Sequence, residues 1–202
     1  MKVLVTCGPT WVAIDDVRVI SNISSGQMGH LIATAFKQAG AQVTVIEGPV
    51  TDGLKLPGVK VVKYKFFDEL SKALKVECAK KYDIVVHAAA VSDFKVVGRS
   101  KTKLNSDKPL VLELTPTEKL IQNIKRIAPH SFLVGFKLAS SIKPSMLGQL
   151  TRTLFTESQC DVVIANSVKR GYSGYIVDAD GMVIAKATRK EKIAQEIVRI
   201  IR

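Results

Sequence analysis

The sequence predicts an α/β fold: a Rossmann-like, three-layer arrangement with a mostly parallel sheet, helices on both faces and a flexible flap. Short apolar runs alternate with helical patterns along the 202 residues, which is typical of a parallel sheet covered on both sides. No internal repeat, linker or low-complexity segment interrupts the alternation. We therefore expect a single domain that spans residues 1–202.

The elements follow from the spacing of apolar residues. Runs at 2–7, 42–46, 59–64, 83–90, 131–136 and 161–165 predict strands, and 110–114 predicts a short extended segment. Apolar stripes predict helices over 29–39, 67–80, 117–127, 144–156 and 190–201. Asp180-Gly181 between the apolar runs 175–178 and 182–185 predicts a hairpin turn.

Composition limits the class of protein. The three cysteines, Cys7, Cys78 and Cys160, are widely separated, so we expect no disulfide framework and a reducing, cytoplasmic location. No run approaches the roughly 18 apolar residues of a membrane span. Lys and Arg outnumber Asp and Glu by 30 to 18, and the net charge of +12 favours anionic partners. The positive charge is dispersed and only 6% of the residues are aromatic, which argues against nucleic-acid binding. Phosphorylated small molecules remain as the expected anionic partners.

Ligands of open α/β sheets bind at the carboxyl ends of the strands. After the first predicted strand, the helix begins only near Gly26, so an insertion separates the two. Ser24 and Ser25 could cap this helix, while Gly26 and Gly29 permit close approach of a ligand or of the main chain. Asn22 can donate and accept hydrogen bonds beside the helix N-terminus. The pattern favours an anion site, and a capped helix after a surface loop is the alternative.

Two later segments are also candidates. The polar loop 92–106 is long enough for a flap, and its Lys101 and Lys103 could neutralise phosphate or belong to a solvated loop. The small residues 88–90 could let a ligand lie over a strand end or let a helix pack closely. We expect His87 and Cys7 to be buried core residues, and no serine, cysteine and histidine spacing indicates a hydrolase.

The sequence resembles the phosphopantothenoylcysteine synthetase family in two signatures. The first covers residues 6–29 with the letters TCGPT, ID, VR, ISN and SSGQMG, and the second is AAVSDF at 89–94. Further matches, in the order of the family, are Lys101-x-Lys103, Thr115-Pro116, Gly135-Phe136-Lys137-Leu138 and Ala165-Asn166.

The resemblance implies a ligase that joins 4′-phosphopantothenate to L-cysteine in coenzyme A biosynthesis. CTP or ATP would activate the carboxylate as an acyl-nucleotide, pyrophosphate would leave with Mg²⁺, and the cysteine amine would then form the amide. Charge neutralisation and positioning would supply most of the catalysis. A homodimer is implied, because Arg18 would reach the substrate phosphate from a neighbouring subunit. Many relatives carry a fused flavin decarboxylase, and we expect a separate phosphopantothenoylcysteine decarboxylase here.

The resemblance also implies roles for single residues, with no metal ligand among them. Asn22 would hold the carbonyl of the acyl-nucleotide, and Lys101 would bind the triphosphate from the flap, which makes these two the catalytic residues. The nucleotide would contact Gly8, Thr10, Ala89, Asp93, Lys101, Pro116, Thr117 and Phe136. The phosphopantothenate would contact Arg18, Asn22, Gly26, Ala89, Ala90 and Asp93.

The chain departs from the family pattern at Trp11-Val12-Ala13, Ala139 and Ser167, and residues 154–160 lack the lysines that relatives direct to the triphosphate. Arg152 is the nearest cation, so the choice between CTP and ATP stays open. Two other classes are alternatives. A nicotinamide or flavin reductase would need a short glycine turn and an acid such as Glu47, and a basic nucleic-acid-binding domain would rely on net charge.

Overall fold

The computed structural model describes residues 1–169 and 171–202. The strands are β1 (Lys2–Cys7), β2 (Trp11–Ala13), β3 (Val19–Ser21), β4 (Gln42–Glu47), β5 (Lys60–Lys63), β6 (Ile84–His87), β7 (Phe94–Val96), β8 (Leu114–Pro116), β9 (Phe132–Leu138), β10 (Val162–Ser167), β11 (Ser173–Val177) and β12 (Val183–Ala187). The helices are α1 (Gln27–Gln38), α2 (Phe67–Cys78), α3 (Leu120–Ile127), α4 (Leu147–Thr156) and α5 (Lys190–Ile201).

An eight-stranded sheet forms the middle layer, in the order β12-β11-β10-β9-β6-β1-β4-β5. The six strands from β10 to β5 run parallel, and β11 is reversed, because it pairs antiparallel with both β10 and β12. The mostly parallel sheet of the sequence prediction is therefore confirmed, and the predicted hairpin at Asp180-Gly181 joins β11 and β12. Asp178 stabilises that turn by accepting hydrogen bonds from the amides of Asp180 and Met182.

Helices cover both faces of the sheet. Residues of β1 alternate between two apolar layers: Val3 and Val5 pack in the layer that contains residues of α1 and α5, and Leu4 packs in the layer of α2 and α3. Phe36 of α1 is completely buried, and burying a side chain of this size contributes roughly 1.5–3 kcal/mol to stability. Within the described part of the chain, no helix combines the length and apolarity required to cross a bilayer.

Several predicted boundaries are wrong at the ends that face the site. The predicted strand 83–90 stops at His87, and the helix predicted over 117–127 begins at Leu120. The helix predicted from 144 is a 3₁₀ turn, Pro144–Met146, followed by α4. The extended segment expected at 110–114 lies later, in β8.

Two small hairpins, absent from the sequence prediction, stand at the carboxyl edge of the sheet. Strands β2 and β3 pair inside the insertion after β1. Strands β7 and β8 pair across the predicted flap. Both hairpins therefore extend the sheet's carboxyl edge, where the sequence places its candidate residues.

Candidate functional site

The loops that follow β1 and β6 are joined by main-chain hydrogen bonds. The Ala90 amide donates to the Gly8 carbonyl at 2.9 Å, and the Thr10 amide donates to the Ala90 carbonyl at 3.3 Å. The buried hydroxyl of Thr10 accepts from the Ser92 amide at 2.8 Å. These contacts form because the carboxyl ends of adjacent parallel strands meet at one edge. The structure thus brings Gly8, Thr10 and Ala90 together, as the sequence predicts.

Asn22 completes this contact from the end of β3. Its side-chain amide donates to the carbonyl of Ala90 at 3.1 Å and to that of Val91 at 3.3 Å. The residue is nevertheless exposed, so its amide oxygen remains open to a ligand. Asn22 therefore lies against the segment that leads to Asp93.

Asp93 is held from a third direction. The Thr117 amide donates to the Asp93 carbonyl at 2.9 Å, and the Thr117 hydroxyl donates to the Ser92 carbonyl at 2.7 Å. The ammonium group of Lys119 lies 2.5 Å from the Asp93 carboxylate. Lys119 is a site residue that the sequence reasoning missed, although it stands three positions after the Thr115-Pro116 match.

The N-terminus of α1 differs from the expected serine cap. Gly26 occupies the cap position in the left-handed conformation, with φ 72°, and no side-chain cap bond is present. Ser24 and Ser25 are therefore not the cap, although the Ser25 hydroxyl lies 3.4 Å from the Gln27 amide. A Cβ at Gly29 would lie 2.3 Å from the Cβ of Cys7. The two glycines let α1 start directly against the end of β1.

A buried hydrogen-bond chain supports Ala89. The Thr6 hydroxyl accepts from the Ala89 amide at 3.2 Å and lies 3.0 Å from Nδ1 of His87. Burial lowers the pKa of His87 to about 4, so its ring is neutral at pH 7. The prediction that His87 is a satisfied core residue is confirmed, and its contact with Thr6 fixes the main chain at the site.

One cluster below the site has the residue types of a metal centre. The ligand atoms of Cys7, His30 and Glu47 lie within 4.8 Å of one another. However, the Glu47 carboxylate already accepts hydrogen bonds from His30, the Leu54 amide and Lys63. Burial beside the Glu47 carboxylate raises the pKa of the Cys7 thiol to about 12. The Glu47 carboxylate therefore already has its hydrogen-bond partners, and the Cys7 thiol stays protonated. We interpret the cluster as buried support beneath Gly8, with Cys7 in the core as predicted.

The flap carries Lys101 and Lys103, both exposed, and it is attached to the β2–β3 hairpin. Arg18 donates to the Asp15 carboxylate at 2.6 Å and to the Leu104 carbonyl at 3.0 Å. Asp15 is another residue for which the sequence reasoning gave no role. Arg18 thus has partners within its own chain, and about a third of its side chain remains exposed.

A cavity of about 460 Å³ opens beside this network, a size that suits small-molecule ligands. Trp11 forms one wall and meets the ring of Phe66 edge-on, with centroids 6.3 Å apart. Trp11 stands in the segment 11–13, where the sequence predicts a departure from the family pattern. The other lining residues include Pro116 and Thr117 from the predicted nucleotide set, together with Phe94, Lys95 and Arg99.

Phe136 and Arg152 lie apart from this network. Phe136 lies on β9, two residues beyond Val134, which pairs with Val86 of β6. Its side chain is half-buried in the apolar layer that contains residues of α1 and α5. Its position at the carboxyl edge agrees with the prediction, but its side chain faces away from the layer of α2 and α3. Arg152 is an exposed residue of α4, which packs beside β9 and β10.

A family model describes the chain over its whole length: the DNA/pantothenate metabolism flavoprotein C-terminal domain matches residues 1–202. The coenzyme A biosynthesis bifunctional protein CoaBC of Thermococcus kodakarensis is 40% identical over 171 residues, covering 83% of this chain and 41% of the relative. The protein of the same name from Methanocaldococcus jannaschii is 31% identical over 214 residues, covering 100% of this chain and 51% of the relative. The chain thus spans about half or less of these relatives.

A solved structure agrees in fold. The DNA/pantothenate metabolism flavoprotein of Streptococcus pneumoniae superposes with a TM-score of 0.88 at 26% identity, covering 100% of this chain and 98% of that chain. The likeness therefore extends over the sheet, both helical layers and the loops at the carboxyl edge.

Proposed function

Because the chain belongs to the family of DNA/pantothenate metabolism flavoprotein C-terminal domains, we propose that it is a phosphopantothenate–cysteine ligase. The reaction would consume CTP or ATP, pass through an acyl-nucleotide and produce phosphopantothenoylcysteine for coenzyme A biosynthesis. The relatives' names place those proteins in coenzyme A biosynthesis, and the two signatures of the chain lie in the region that they share.

A single observation carries the proposal: Asn22 donates hydrogen bonds to the main chain of the Ala90–Val91 segment. Asn22 and Ala90 are 68 residues apart in sequence, and their contact joins the two signature segments into one surface. A ligase that forms an acyl-nucleotide needs the carboxylate and the triphosphate held side by side, since positioning supplies much of the rate. The contact provides a place where both could be held.

The residues divide into two groups around this contact. Phosphopantothenate would bind at Asn22, Gly26, Ala89, Ala90 and Asp93, with its charge drawn to the N-terminus of α1. To act on the reacting carbonyl, the Asn22 amide nitrogen would exchange one of its two acceptors, the carbonyls of Ala90 and Val91, for the oxygen that gains charge when the cysteine amine attacks. Hydrogen-bond donors held beside such an oxygen accelerate acyl transfer.

The nucleotide would lie on the other side of Asp93. Pro116 and Thr117 line the cavity of about 460 Å³ and would border the base and sugar. Gly8, Thr10, Ala89 and Phe136 complete the proposed nucleotide set. Lys101 would reach the triphosphate from the flap. Arg152, the cation nearest in sequence to the family's missing lysines, is exposed on α4 and would have to reach the triphosphate from outside the network around Asp93.

Mg²⁺ would arrive with the triphosphate and neutralise part of its charge. Such an ion keeps several waters and takes one or two carboxylates besides the phosphates. Asp93 fits that requirement, because its side chain is 65% exposed at the edge of the proposed site. The role of this residue would be to orient the ion's waters, while Lys119 holds the carboxylate in place.

A homodimer is part of the proposal, with Arg18 directed to the substrate phosphate of a neighbouring subunit. Large apolar side chains are exposed in the hairpin turn and in the segments that follow the hairpin and the flap, notably Val17 at 64%, Ile23 completely and Val111 at 91%. Covering such groups in an interface is favourable. Light scattering of the purified protein would give the mass of a dimer, near twice the 22.0 kDa of the chain.

Product analysis tests the proposed activity. The protein is incubated with 4′-phosphopantothenate, cysteine, Mg²⁺ and either CTP or ATP, and the amide product is identified by mass spectrometry. We expect product with at least one nucleotide and none when any substrate is omitted. The ratio of the two initial rates also decides the nucleotide preference.

The reductase alternative is tested in parallel by titration with NADPH and FMN. In the structure β1 and α1 are separated by the β2–β3 hairpin, and Glu47 is occupied by Lys63 and His30. Neither feature suits a dinucleotide. Tight cofactor binding together with absence of the amide product would contradict the ligase.

A further inference from the structure

Asp15 is a buried carboxylate in the turn between β2 and β3, only 2% exposed. One of its oxygens accepts from the amides of Val17 at 2.9 Å and Arg18 at 2.7 Å. The other accepts from the Arg18 guanidinium at 2.6 Å and from the Leu104 amide at 3.1 Å. Three of these four donors lie within its own turn, and the fourth belongs to the flap, 89 residues later.

The flap is bound to this turn at two places. At Leu104 both main-chain groups are engaged, because the amide donates to Asp15 and the carbonyl accepts from Arg18 at 3.0 Å. At Ser100 the amide donates to the Ile14 carbonyl at 3.3 Å. Lys101 and Lys103 stand between these two points, so the turn defines both ends of the segment that carries them.

The same hairpin leads directly to Asn22. Strand β3 ends at Ser21, and Asn22 then donates to the carbonyls of Ala90 and Val91. The hairpin therefore connects the lysine segment of the flap to the proposed carbonyl-binding residue through a short, hydrogen-bonded unit. A shift of the turn would move both.

We propose that Asp15 is a positioning residue, whose carboxylate fixes segment 100–104 against the hairpin and thereby sets the position of Lys101 and Lys103 relative to Asn22. The part of this inference that concerns the nucleotide rests on the proposed ligase function. The clamp itself rests on geometry alone. Burial by itself would raise the pKa of Asp15, but the hydrogen bonds from Val17, Leu104 and Arg18 outweigh it and lower the pKa to about 2. The clamp is therefore charged at neutral pH.

Asp15→Asn is the test variant, because the amide has the shape of the acid but replaces one acceptor with a donor facing Leu104 or Arg18. Asp16→Asn is the matched control: it removes the same charge one position away, at an exposed residue. Amide hydrogen exchange of Ser100 and Leu104 is measured by NMR on the complete protein. We expect Asp15→Asn to accelerate exchange at Leu104 about tenfold or more and Asp16→Asn to leave it unchanged.

Kinetics separate positioning from loss of folding. Asp15→Asn should raise the KM for the triphosphate about tenfold, with a smaller change in the KM for cysteine. In the Asp15→Asn background, Lys101→Gln should raise the nucleotide KM by a smaller factor than the same substitution does in the wild type. The reason is that Lys101 is already displaced in Asp15→Asn. If Asp15→Asn does not fold, Asp15→Glu keeps the charge and is measured in the same way, with faster Leu104 exchange expected.

Two results would overturn the proposed positioning role of Asp15. The first is flap exchange in Asp15→Asn, or in Asp15→Glu if that is the folded variant, equal to that of the wild type. The second is accelerated exchange with an unchanged nucleotide KM, which would leave the hydrogen-bonded clamp in place but overturn its role in positioning Lys101 and Lys103. Absence of ligase turnover in the wild type would refute the proposed function instead, and the exchange comparison would still decide whether Asp15 holds the flap.

Discussion

The side-chain amide of Asn22 donates a hydrogen bond to the main-chain carbonyl of Ala90, 3.1 Å away. An aspartate at this position would place a negatively charged oxygen beside the carbonyls of Ala90 and Val91. It would also remove the N–H donor that we propose for the acyl carbonyl. We predict that Asn22→Asp still releases pyrophosphate but forms the amide at least about a hundredfold more slowly. Rapid quench with separate detection of pyrophosphate and amide measures this.

Asn123→Asp is the control for that variant. Asn123 lies on α3, where its oxygen accepts from Arg126 at 3.3 Å, a contact that an aspartate would keep. The control should retain both rates. Amide formation by Asn22→Asp at the wild-type rate would remove Asn22 from the mechanism.

Lys101→Gln tests the flap. A neutral side chain cannot offset triphosphate charge, so we expect the nucleotide KM to rise or kcat to fall, by about tenfold. Steady-state pyrophosphate release measures both constants. Lys108→Gln, an exposed lysine near the end of the same loop, should behave like the wild type. Equal values for the two variants would assign Lys101 to the solvated surface.

His87 predicts a pH dependence of stability. Burial lowers its pKa in the folded protein from 6.5 to about 4, so below pH 6.5 the unfolded chain takes up a proton that the folded protein does not. Stability should therefore fall with acidification, by about 1.6 kcal/mol between pH 6.5 and pH 5. Urea unfolding at each pH measures the free energy.

The matched variants for that experiment are His87→Gln, which cannot titrate, and His130→Gln at an exposed position. His87→Gln should show a flat profile over this range, and His130→Gln should keep the slope of the wild type. A slope that survives in His87→Gln would assign the proton uptake to another group.

Gly29 allows α1 to contact β1. A Cβ there would lie 2.3 Å from the Cβ of Cys7, so Gly29→Ala should destabilise the protein by about 1–3 kcal/mol through overpacking. In α4, a Cβ at Gly148 would have its nearest contact at 3.8 Å, and Gly148→Ala should be neutral or stabilise by up to about 1 kcal/mol. Thermal unfolding compares the two, and equal effects would contradict a close approach at Gly29.

The central layers could be predicted because burial imposes a pattern on the sequence. Strand β1 lies at the predicted residues, and α5 agrees in full, since each buries a regular set of apolar side chains. The small hairpins carry no such pattern: Val19, Ile20 and Ser21 of β3 are all exposed. Their pairing depends on contacts with distant loops, which periodicity does not encode.

The candidate site likewise contains contacts that the sequence predicts and contacts that it does not. That Asn22 would approach Ala90 could be expected, because the carboxyl ends of adjacent strands meet. Lys119 and Asp15 could not be assigned from the sequence, since their partners Asp93 and Leu104 lie 26 and 89 residues away. The serine cap is only partly as predicted, because a left-handed Gly26 takes the cap position while Ser25 still accepts a hydrogen bond from the Gln27 amide.

The most direct test of the account is a single-turnover measurement of pyrophosphate. Enzyme in excess is mixed with 4′-phosphopantothenate, Mg²⁺ and CTP or ATP without cysteine, and cysteine is added afterwards. The account predicts pyrophosphate and a bound acyl-nucleotide before the addition, and amide only after it. Folded protein that releases no pyrophosphate from either nucleotide would contradict it.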